Sequence, residues 1–269
     1  MSITTNMQQG IHPSTVVNGK LELGEGAVVG PYCLIQGQVK IGKGTIIEGH
    51  VSIGCKGGYI EIGENNHLHP GAVIGGPPQD VTYKGEETKL IIGDHNIFRE
   101  FTTVNLATSK ESKTTKVGSH CYFMSYTHVG HDCEIGSHVI VANNSHIGGH
   151  CHIDDNVVIG GMCAFNQFTR VGKGSFIAGG SIVNKDIIPF SKAQGNHAVI
   201  RATNKIGLAR KGVSREEVDN IHRAIRILIM GSETQEEALA RIDTECAPSE
   251  NIDYLVRFIR ESKRGIAKE

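Results

Sequence analysis

The chain lacks tryptophan and has few other aromatic residues, although it is 269 residues long and contains 34 glycines. Phe, Tyr and Trp together make up only 5% of the sequence. Large aromatic side chains supply much of the buried area of an ordinary core. Their scarcity favours an architecture in which small repeated units bury one another.

Long apolar runs and an excess of charge of either sign are also missing. No stretch approaches the ~18 apolar residues that suggest a membrane span, and the first ten residues, MSITTNMQQG, lack the apolar segment of a signal peptide. The formal net charge of −1 gives no reason to expect binding to nucleic acid or to an anionic membrane. We therefore predict a soluble, cytoplasmic protein without stable membrane insertion.

What the sequence does contain is a period of six residues. An aliphatic residue begins nearly every hexad from Ile11 to Val183, and residues 117–188 keep the register without interruption. The second position of the hexad is most often glycine, and the fifth position is small. A period this short and this persistent is typical of a solenoid.

The spacing of the hexads indicates the geometry of the solenoid. Six residues form a short strand and a tight corner, and glycine tolerates the positive φ of such corners. Three strands close one triangular coil, so residues 18 apart stack ~4.8 Å from each other. This pattern is the hexapeptide signature of a left-handed parallel β-helix, and the handedness rests on the signature alone. The predicted fold class is mainly β, with a β-helix over residues 1–200 and a small α-helical domain over 201–269.

The seven cysteines form no recognisable metal or redox motif. No CxxC pair occurs, and five of the seven occupy the small fifth position of a hexad: Cys33, Cys121, Cys133, Cys151 and Cys163. A thiol in that position acts as a compact apolar filler. We interpret the cysteines as core residues.

The hexad pattern is interrupted three times, and insertions in a solenoid are common sites of function. Residues 54–61 contain three extra residues, whereas the interruptions at 75–91 and 105–116 are longer and more polar. Either long loop is compatible with a solvated surface. We favour loops that reach a neighbouring subunit, because the flat side of a prism offers little concavity by itself.

After Pro189 the sequence takes on the period of amphipathic helices. Capping-box patterns at 214–217 and 234–237, and an N-cap at Ser249, predict three helix starts. The corresponding ends are predicted at Gly231, near Pro248 and at Gly265.

A shorter helix is predicted near 204–210. Between residues 201 and 226 the sequence has seven Lys or Arg residues and three acidic residues. This excess fits ordinary solvated helix faces and, equally well, a basic patch for phosphates or an acidic carrier protein.

One histidine column suggests acyl-transfer chemistry. His131 and Gly149 differ by 18 residues and are therefore predicted to stack on adjacent coils. An imidazole can take a proton from an attacking hydroxyl or amine, and a glycine N–H can stabilise the oxyanion formed from a thioester carbonyl. His150 adds a second imidazole. Asp132 would orient His131 if the corner turns its side chain that way.

Clustered histidines also suit a metal site. There are 14 histidines, and His128 and His146 form a second column with a spacing of 18. Zinc-dependent carbonic anhydrases with hexapeptide repeats place three histidines across a subunit boundary, and the spacing selects no such trio here. An isolated outward histidine is most often a surface residue. We predict no metal and no cofactor.

Eight segments together resemble the acyl-ACP:UDP-N-acetylglucosamine O-acyltransferases of lipid A (lipopolysaccharide) biosynthesis, over essentially the whole chain. They are IGGPPQD (74–80), YKGE (83–86), IGDHNIFRE (92–100), HVGHDCEIG (128–136), VANNSHIGGH (141–150), IGGMCAFNQF (159–168), AQGNHA (193–198) and GLARKGVSRE (207–216). The resemblance implies a homotrimer with active sites between subunits. It also implies direct transfer of an (R)-3-hydroxyacyl group from acyl carrier protein to the 3-position of UDP-N-acetylglucosamine, the first step of lipid A biosynthesis.

The resemblance also implies roles for individual residues by matching position. His131 would be the general base, Asp132 its acidic neighbour, and Gly149 the source of the oxyanion N–H. The implied substrate-binding residues are Gln79 and Asp80 for the glucosamine, reaching from the neighbouring subunit; His128 and His150 for the sugar and acyl end; Gln167, His197, Asn204 and Arg210 for nucleotide, phosphates or acyl chain; and Gly179 for acyl length, where glycine is compatible with a long chain.

Three positions depart from the family's pattern. Thr82 replaces a typical lysine, and Asn105 and Asn166 stand where the best-known members have histidines. Asparagine carries no charge at neutral pH, so these contacts must differ. A 3-amino or other sugar nucleotide therefore remains an alternative acceptor.

Other classes of protein make different predictions. A CoA-dependent hexapeptide acetyltransferase would bind CoA, and no motif for CoA is visible. The related N-acyltransferase carries a domain before its β-helix, whereas the hexads here begin at Ile11. A non-enzymatic β-helical scaffold would need neither His131 facing Gly149 nor the PPQD loop.

Overall fold

The structure is a computed structural model and describes residues 10–231 and 233–268. The N-terminal segment used above to argue against a signal peptide lies largely outside these residues. In chain order the strands are β1 (Gly10–Ile11), β2 (Val16–Leu23), β3 (Val28–Val29), β4 (Leu34–Ile41), β5 (Ile46–Ile47), β6 (Ser52–Ile53), β7 (Gly58–Ile62), β8 (His67–Leu68), β9 (Val73–Gly76), β10 (Thr88–Ile92), β11 (Ile97–Phe98), β12 (Thr103–Asn105), β13 (Thr114–Val117), β14 (Tyr122–Phe123), β15 (His128–Val129), β16 (Glu134–Ile135), β17 (Ile140–Val141), β18 (His146–Ile147), β19 (His152–Ile153), β20 (Val158–Ile159), β21 (Ala164–Phe165), β22 (Arg170–Val171), β23 (Phe176–Ile177), β24 (Ile182–Val183), β25 (Ser191–Gly195) and β26 (Ala198–Thr203).

These strands form the three faces of a parallel β-helix, as the sequence predicts. Face 1 consists of β1, β3, β5, β8, β11, β14, β17, β20, β23 and β25, with β26 antiparallel at its end. Face 2 contains β7, β10, β13, β16, β19 and β22, and face 3 contains β6, β9, β12, β15, β18, β21 and β24. The long strands β2 and β4 bend from face 3 into face 2 and join the two in one sheet. At that bend Gly19 is obligatory, because a Cβ there would lie 2.0 Å from the carbonyl oxygen of Gly37.

The core is a stack of first-position aliphatic side chains. In face 3, for example, Val129 pairs with Ile147, Ile147 with Phe165, and Phe165 with Val183, all in register at a spacing of 18. All four side chains are buried. Each coil therefore buries the apolar surface of its neighbours, and large aromatic side chains are not needed.

The small fifth-position residues do more than fill space, because many of them donate a hydrogen bond to the next coil. The Ser145 hydroxyl donates to Gly160 O at 2.7 Å, and the Cys163 thiol donates to Ala178 O at 3.2 Å. Cys133 and Cys151 make the same contact with Gly148 O and Asn166 O. These cysteines are buried core residues, as predicted.

Serine should therefore replace a core cysteine with little loss of stability. In the fifth-position column Cys163 lies between Ser145 and Ser181. We expect Cys163→Ser to lower the free energy of unfolding by about 1 kcal/mol or less, since the hydroxyl can donate to the same carbonyl. Cys163→Leu should cost about 1–3 kcal/mol through overpacking. Denaturant unfolding of both variants checks this, and equal losses would contradict it.

All three insertions leave the β-helix at one edge, where face 3 turns into face 2. They connect β6 to β7, β9 to β10, and β12 to β13. The two longer insertions are shorter than predicted: β10 already begins at Thr88 and β13 at Thr114. Strand pairing continues through these residues because Thr88 and Thr115 occupy buried inward positions.

Four helices follow the last strand. They are α1 (Lys205–Arg210), α2 (Arg215–Met230), α3 (Gln235–Glu245) and α4 (Glu250–Arg260). The predicted N-caps of the three longer helices, Ser214, Thr234 and Ser249, each accept a backbone N–H. No helix among the described residues is long and apolar enough to cross a bilayer.

The fourth helix ends five residues before the predicted Gly265. The chain leaves the helix at Arg260 because residues 262–267 contact the β-helix instead. Ser262 Oγ donates to Asp186 Oδ2 at 2.7 Å, and Ile266 forms a parallel bridge to Asp186. The C-terminal segment is thereby attached to the last coils. The predicted division at residue 200 stays a prediction.

Candidate active site

His131 and Asp132 form the corner that follows β15, on the edge that carries the three insertions. Asp132 has φ of 58°, and this left-handed turn directs its carboxylate back to its neighbour. Asp132 Oδ2 accepts a hydrogen bond from His131 Nδ1 at 2.8 Å, and both side chains are buried. The contact that the sequence left conditional is therefore present.

Asp132 is itself held by the 106–113 loop. Its Oδ2 atom accepts the Thr108 N–H at 3.0 Å and the Thr108 hydroxyl at 2.8 Å, and its backbone N–H donates to Thr115 Oγ1 at 2.8 Å. Burial opposes ionisation, but the hydrogen bonds from His131 and Thr108 hold the pKa of Asp132 below its ordinary value. An ionised Asp132 fixes the His131 tautomer with the proton on Nδ1, which leaves Nε2 as the basic nitrogen.

Gly149 lies against the His131 ring, as the spacing of 18 predicts. A Cβ at Gly149 would be 2.6 Å from His131 Cε1 and 2.8 Å from Nε2, so only glycine fits there. In the same two coils the His150 N–H donates to His131 O at 2.9 Å. Among the described residues, no hydrogen bond uses the Gly149 N–H. That donor is free for a bound oxygen.

His150 supplies a second imidazole above His131. The two rings meet edge to face with centroids 5.0 Å apart, and Phe168 stacks on His150 at 4.4 Å. Glu111 Oε2 lies 3.2 Å from His150 Nδ1 but outside hydrogen-bond geometry. His150 Nδ1 and Asp132 Oδ1 are thus buried without a partner among the described residues. Such atoms are rare in native proteins, and two of them lie at this corner.

His128 lies in β15, opposite His146 of β18. Its Nδ1 atom is 2.7 Å from Thr103 Oγ1, and its ring is 6.3 Å from that of His146. Burial, with smaller contributions from the neighbouring imidazoles, lowers the pKa of His128 to about 4. His128 is therefore neutral at physiological pH and can serve as a hydrogen-bonding group without carrying charge.

This depressed pKa predicts a loss of stability in acid. The unfolded chain, with a histidine pKa of ~6.5, binds more protons than the folded chain between pH 6.5 and 4. The contribution of His128 to the free energy of unfolding has its full value above pH ~6.5. It falls by ~2 kcal/mol between pH 7.5 and 5. Denaturant unfolding at both values should show a smaller pH effect in His128→Asn than in the unsubstituted chain. An equal effect in both would refute this.

The same corner has the composition of a metal site. One ligand atom each from His131, Asp132 and His150 lie within 4.8 Å of one another. Asp132 Oδ2, however, already accepts three hydrogen bonds, one from His131 and two from Thr108. That arrangement suits a histidine oriented by a carboxylate better than a set of open metal ligands.

Comparison with known proteins assigns the chain to a family. The family model "UDP N-acetylglucosamine O-acyltransferase; domain 2" matches residues 186–267, and the bacterial transferase hexapeptide model matches 20–55 and 114–149. The acyl-[acyl-carrier-protein]–UDP-N-acetylglucosamine O-acyltransferase of Myxococcus xanthus is 43% identical over 78% of this chain and 82% of its own. The enzyme of that name from Campylobacter lari is 38% identical over 95% of both chains.

The chain belongs to the UDP-N-acetylglucosamine O-acyltransferase family. The crystal structure of the Francisella novicida UDP-N-acetylglucosamine acyltransferase superposes with a TM-score of 0.92, at 35% identity and with 97% of this chain and 94% of that chain covered. Family, enzyme class and fold predicted from the sequence are confirmed.

The family's PPQD loop is tied to the candidate active site through the neighbouring insertion. Asp80 Oδ2 pairs with Lys110 Nζ at 2.5 Å, and Asp80 Oδ1 accepts both donors of Thr82. Lys110 and Thr82 hold the pKa of Asp80 well below its ordinary value. Gln79 is exposed beside it. Thr82 thus orients Asp80, and Lys110 supplies a cation from the next loop.

The remaining predicted substrate residues lie farther along the β-helix. Gln167 is exposed on the insertion edge, two coils beyond His131, whereas Gly179 is exposed on the opposite edge of face 3. His197 is exposed in the β25–β26 hairpin and Arg210 in the last turn of α1. Asn204 is buried: it caps α1 by accepting Gly207 N–H and donates to Gly174 O. The described contacts join none of these five residues to His131.

The two asparagine departures have different surroundings. Asn105 is buried, lies where the pairing of β12 with β9 shifts register, and leaves its side-chain oxygen without a hydrogen-bond partner among the described residues. Asn166 is exposed next to Gln167. Sequence reasoning missed Thr108 and Lys110, which hold Asp132 and Asp80. Their only signal is their place in an inserted polar loop.

Proposed function

We propose that this chain transfers an (R)-3-hydroxyacyl group from acyl carrier protein to the 3-hydroxyl of UDP-N-acetylglucosamine. The observation that carries the proposal is the buried Asp132–His131 pair packed against Gly149, whose N–H has no partner among the described residues. The donor and acceptor classes come from the names of the relatives, which cover most of this chain.

Each group has one task in the mechanism. His131 Nε2 takes the proton of the sugar 3-hydroxyl while the hydroxyl oxygen attacks the thioester carbonyl carbon. The Gly149 N–H stabilises the oxyanion of the tetrahedral intermediate. The C–S bond then breaks, the carrier's phosphopantetheine thiolate leaves, and His131 returns the proton to it. Ionised Asp132 stabilises the imidazolium formed between these steps. No acyl-enzyme and no cofactor are needed.

The direct test is an acyl-transfer assay with purified protein. The acceptors are UDP-N-acetylglucosamine and its 3-amino analogue, and the donors are 3-hydroxyacyl carrier proteins of graded chain length and acetyl-CoA. We expect transfer from carrier protein to UDP-N-acetylglucosamine. Preference for the amine would instead assign a 3-amino sugar nucleotide, and transfer only from acetyl-CoA would refute the proposed donor.

The active form that we propose is a homotrimer with sites between subunits. Four large apolar side chains recur at the corners along the edge between faces 1 and 3, with His50, Gly71 and Asn144 between them. They are Tyr32, Phe101, Tyr126 and Met162, which are 51–73% exposed and have φ of 58–62°. Exposed apolar side chains that recur along one edge favour burial against another chain. Sedimentation analysis should give three chains per particle, and Phe101→Glu should shift it to smaller species.

Thr108 should affect the reaction although it does not touch substrate. Thr108→Val removes the hydroxyl hydrogen bond to Asp132 while it keeps the volume of the side chain. Hydrogen bonds to charged groups contribute ~1.5–3 kcal/mol, so we expect kcat to fall ~10-fold or more, with little change in KM. Thr108→Ser should restore activity. Thr114→Val, at the half-buried first residue of β13, is the control.

A further inference from the structure

Two imidazoles and a carboxylate converge at the edge between faces 1 and 3, away from the candidate active site. His67 lies in β8, Leu68 points into the core, and His69 follows. Because side chains alternate along a strand, both imidazoles lie on the outer surface. Glu48 follows β5, the parallel neighbour in which Ile47 pairs with Leu68. The three side chains therefore come from adjacent coils.

The donor atoms of Glu48, His67 and His69 lie close to one another. Glu48 Oε1 is 2.6 Å from His67 Nε2 and 3.3 Å from His69 Nδ1. The imidazoles stack with centroids 4.1 Å apart, and all three ligand atoms lie within 4.8 Å of one another. Ligands ~2.0–2.2 Å from a tetrahedral metal ion lie roughly 3.3 Å apart. Small side-chain rotations would produce that spacing.

Among the described residues, the hydrogen bond that occupies these donors is their own, between His67 Nε2 and Glu48 Oε1, and a metal ion would replace it. The side chains of Glu48, His67 and His69 are 32%, 36% and 18% exposed, so each is held by its neighbours. Glu100, 3.9 Å from His69 Nδ1, is already occupied by Arg99 and Ser125.

We infer that Glu48, His67 and His69 bind a divalent transition-metal ion, with zinc best suited to the ligand set. Two imidazole nitrogens and one carboxylate oxygen form a common three-residue zinc set, with the fourth position open to water. In this cluster the three donor atoms point towards one place, which distinguishes it from a second column of outward histidines. His95, His120 and His138 stack in parallel 4.9 Å apart, and their rings do not turn towards a common centre. The site takes no part in the proposed reaction, but it lies on the same edge between faces 1 and 3 as the exposed side chains that we propose to pack in the trimer.

The test is a calorimetric Zn²⁺ titration of the full-length protein after treatment with a chelator. We expect one ion per chain and at least ~10-fold weaker binding in His67→Ala and in His69→Ala. Glu48→Gln, which keeps the shape of the side chain, tests the carboxylate should an alanine variant fail to fold. His95→Ala is the matched control and should bind as the unsubstituted chain does. Co²⁺ should give the visible absorption of a four-coordinate site.

Two results would overturn the inference. One is the absence of measurable binding to the folded protein. The other is binding that survives the substitutions at Glu48, His67 and His69 but disappears in His150→Ala, which would assign the ion to the His131–Asp132–His150 corner. Acyl transfer is not a readout of this experiment, so its outcome is separate from that of the proposed function.

Discussion

Replacing His131 by glutamine is expected to lower kcat by ~10²–10⁴-fold, the usual contribution of a general base. Glutamine can hydrogen-bond Asp132 but cannot accept the proton of the attacking hydroxyl. KM for the sugar nucleotide should change far less, because the loss falls on the transition state. Steady-state kinetics with acyl carrier protein as donor measures both parameters.

The matched control for His131→Gln is His138→Gln. His138 is an exposed histidine at a corner, and it stacks on His120. His138→Gln should retain full activity. If His131→Gln kept more than about a tenth of wild-type kcat, His131 would not be the base, and His150 would become the candidate to examine.

Gly149→Ala is expected to abolish measurable transfer while the fold is kept. The added methyl carbon would meet His131 Cε1 at 2.6 Å and Nε2 at 2.8 Å, so the ring must leave its position against Asp132. Displacements of ~1 Å at a reacting group can cost 10²-fold in rate. The kcat of the variant and its thermal unfolding should be measured together.

Gly161→Ala provides the control for the methyl group itself. Gly161 has the same third position in its hexad, and its added Cβ would find only Asn143 O, at 3.3 Å. We expect nearly normal activity and a small loss of stability. Equal inactivation of both variants would show that the effect comes from distortion of the coil rather than from His131.

The hexad period was sufficient to predict the faces, the inward columns and the stacking of His131 on Gly149. In a β-helix of this kind, residues 18 apart in the sequence lie next to each other on adjacent coils. Capping residues were sufficient for the helix starts. The end of α4 was not predictable, since it depends on Ser262 meeting Asp186, 76 residues away. Local signals carry no information about such a contact.

The site was predictable only where it follows the period. His131, Gly149 and His150 keep the hexad register, so their proximity could be predicted from their spacing of one coil in the sequence. Thr108 and Lys110 lie in an insertion, where spacing no longer fixes position, and their contacts with Asp132 and Asp80 could not be inferred. The Asp132–His131 contact required the left-handed turn at Asp132, which the residue types permit but do not specify.

All three insertions lie on one edge of the β-helix, so changes in the loops and changes in the inward columns have different effects. Substitutions in the columns alter the stability of neighbouring coils, whereas the exposed residues of the 77–87 loop and residues 109–113 lie outside both the paired strands and the core. The exposed parts of these loops can therefore vary without a change in the coils, whereas Thr108 is constrained because its hydrogen bonds hold Asp132 beside His131.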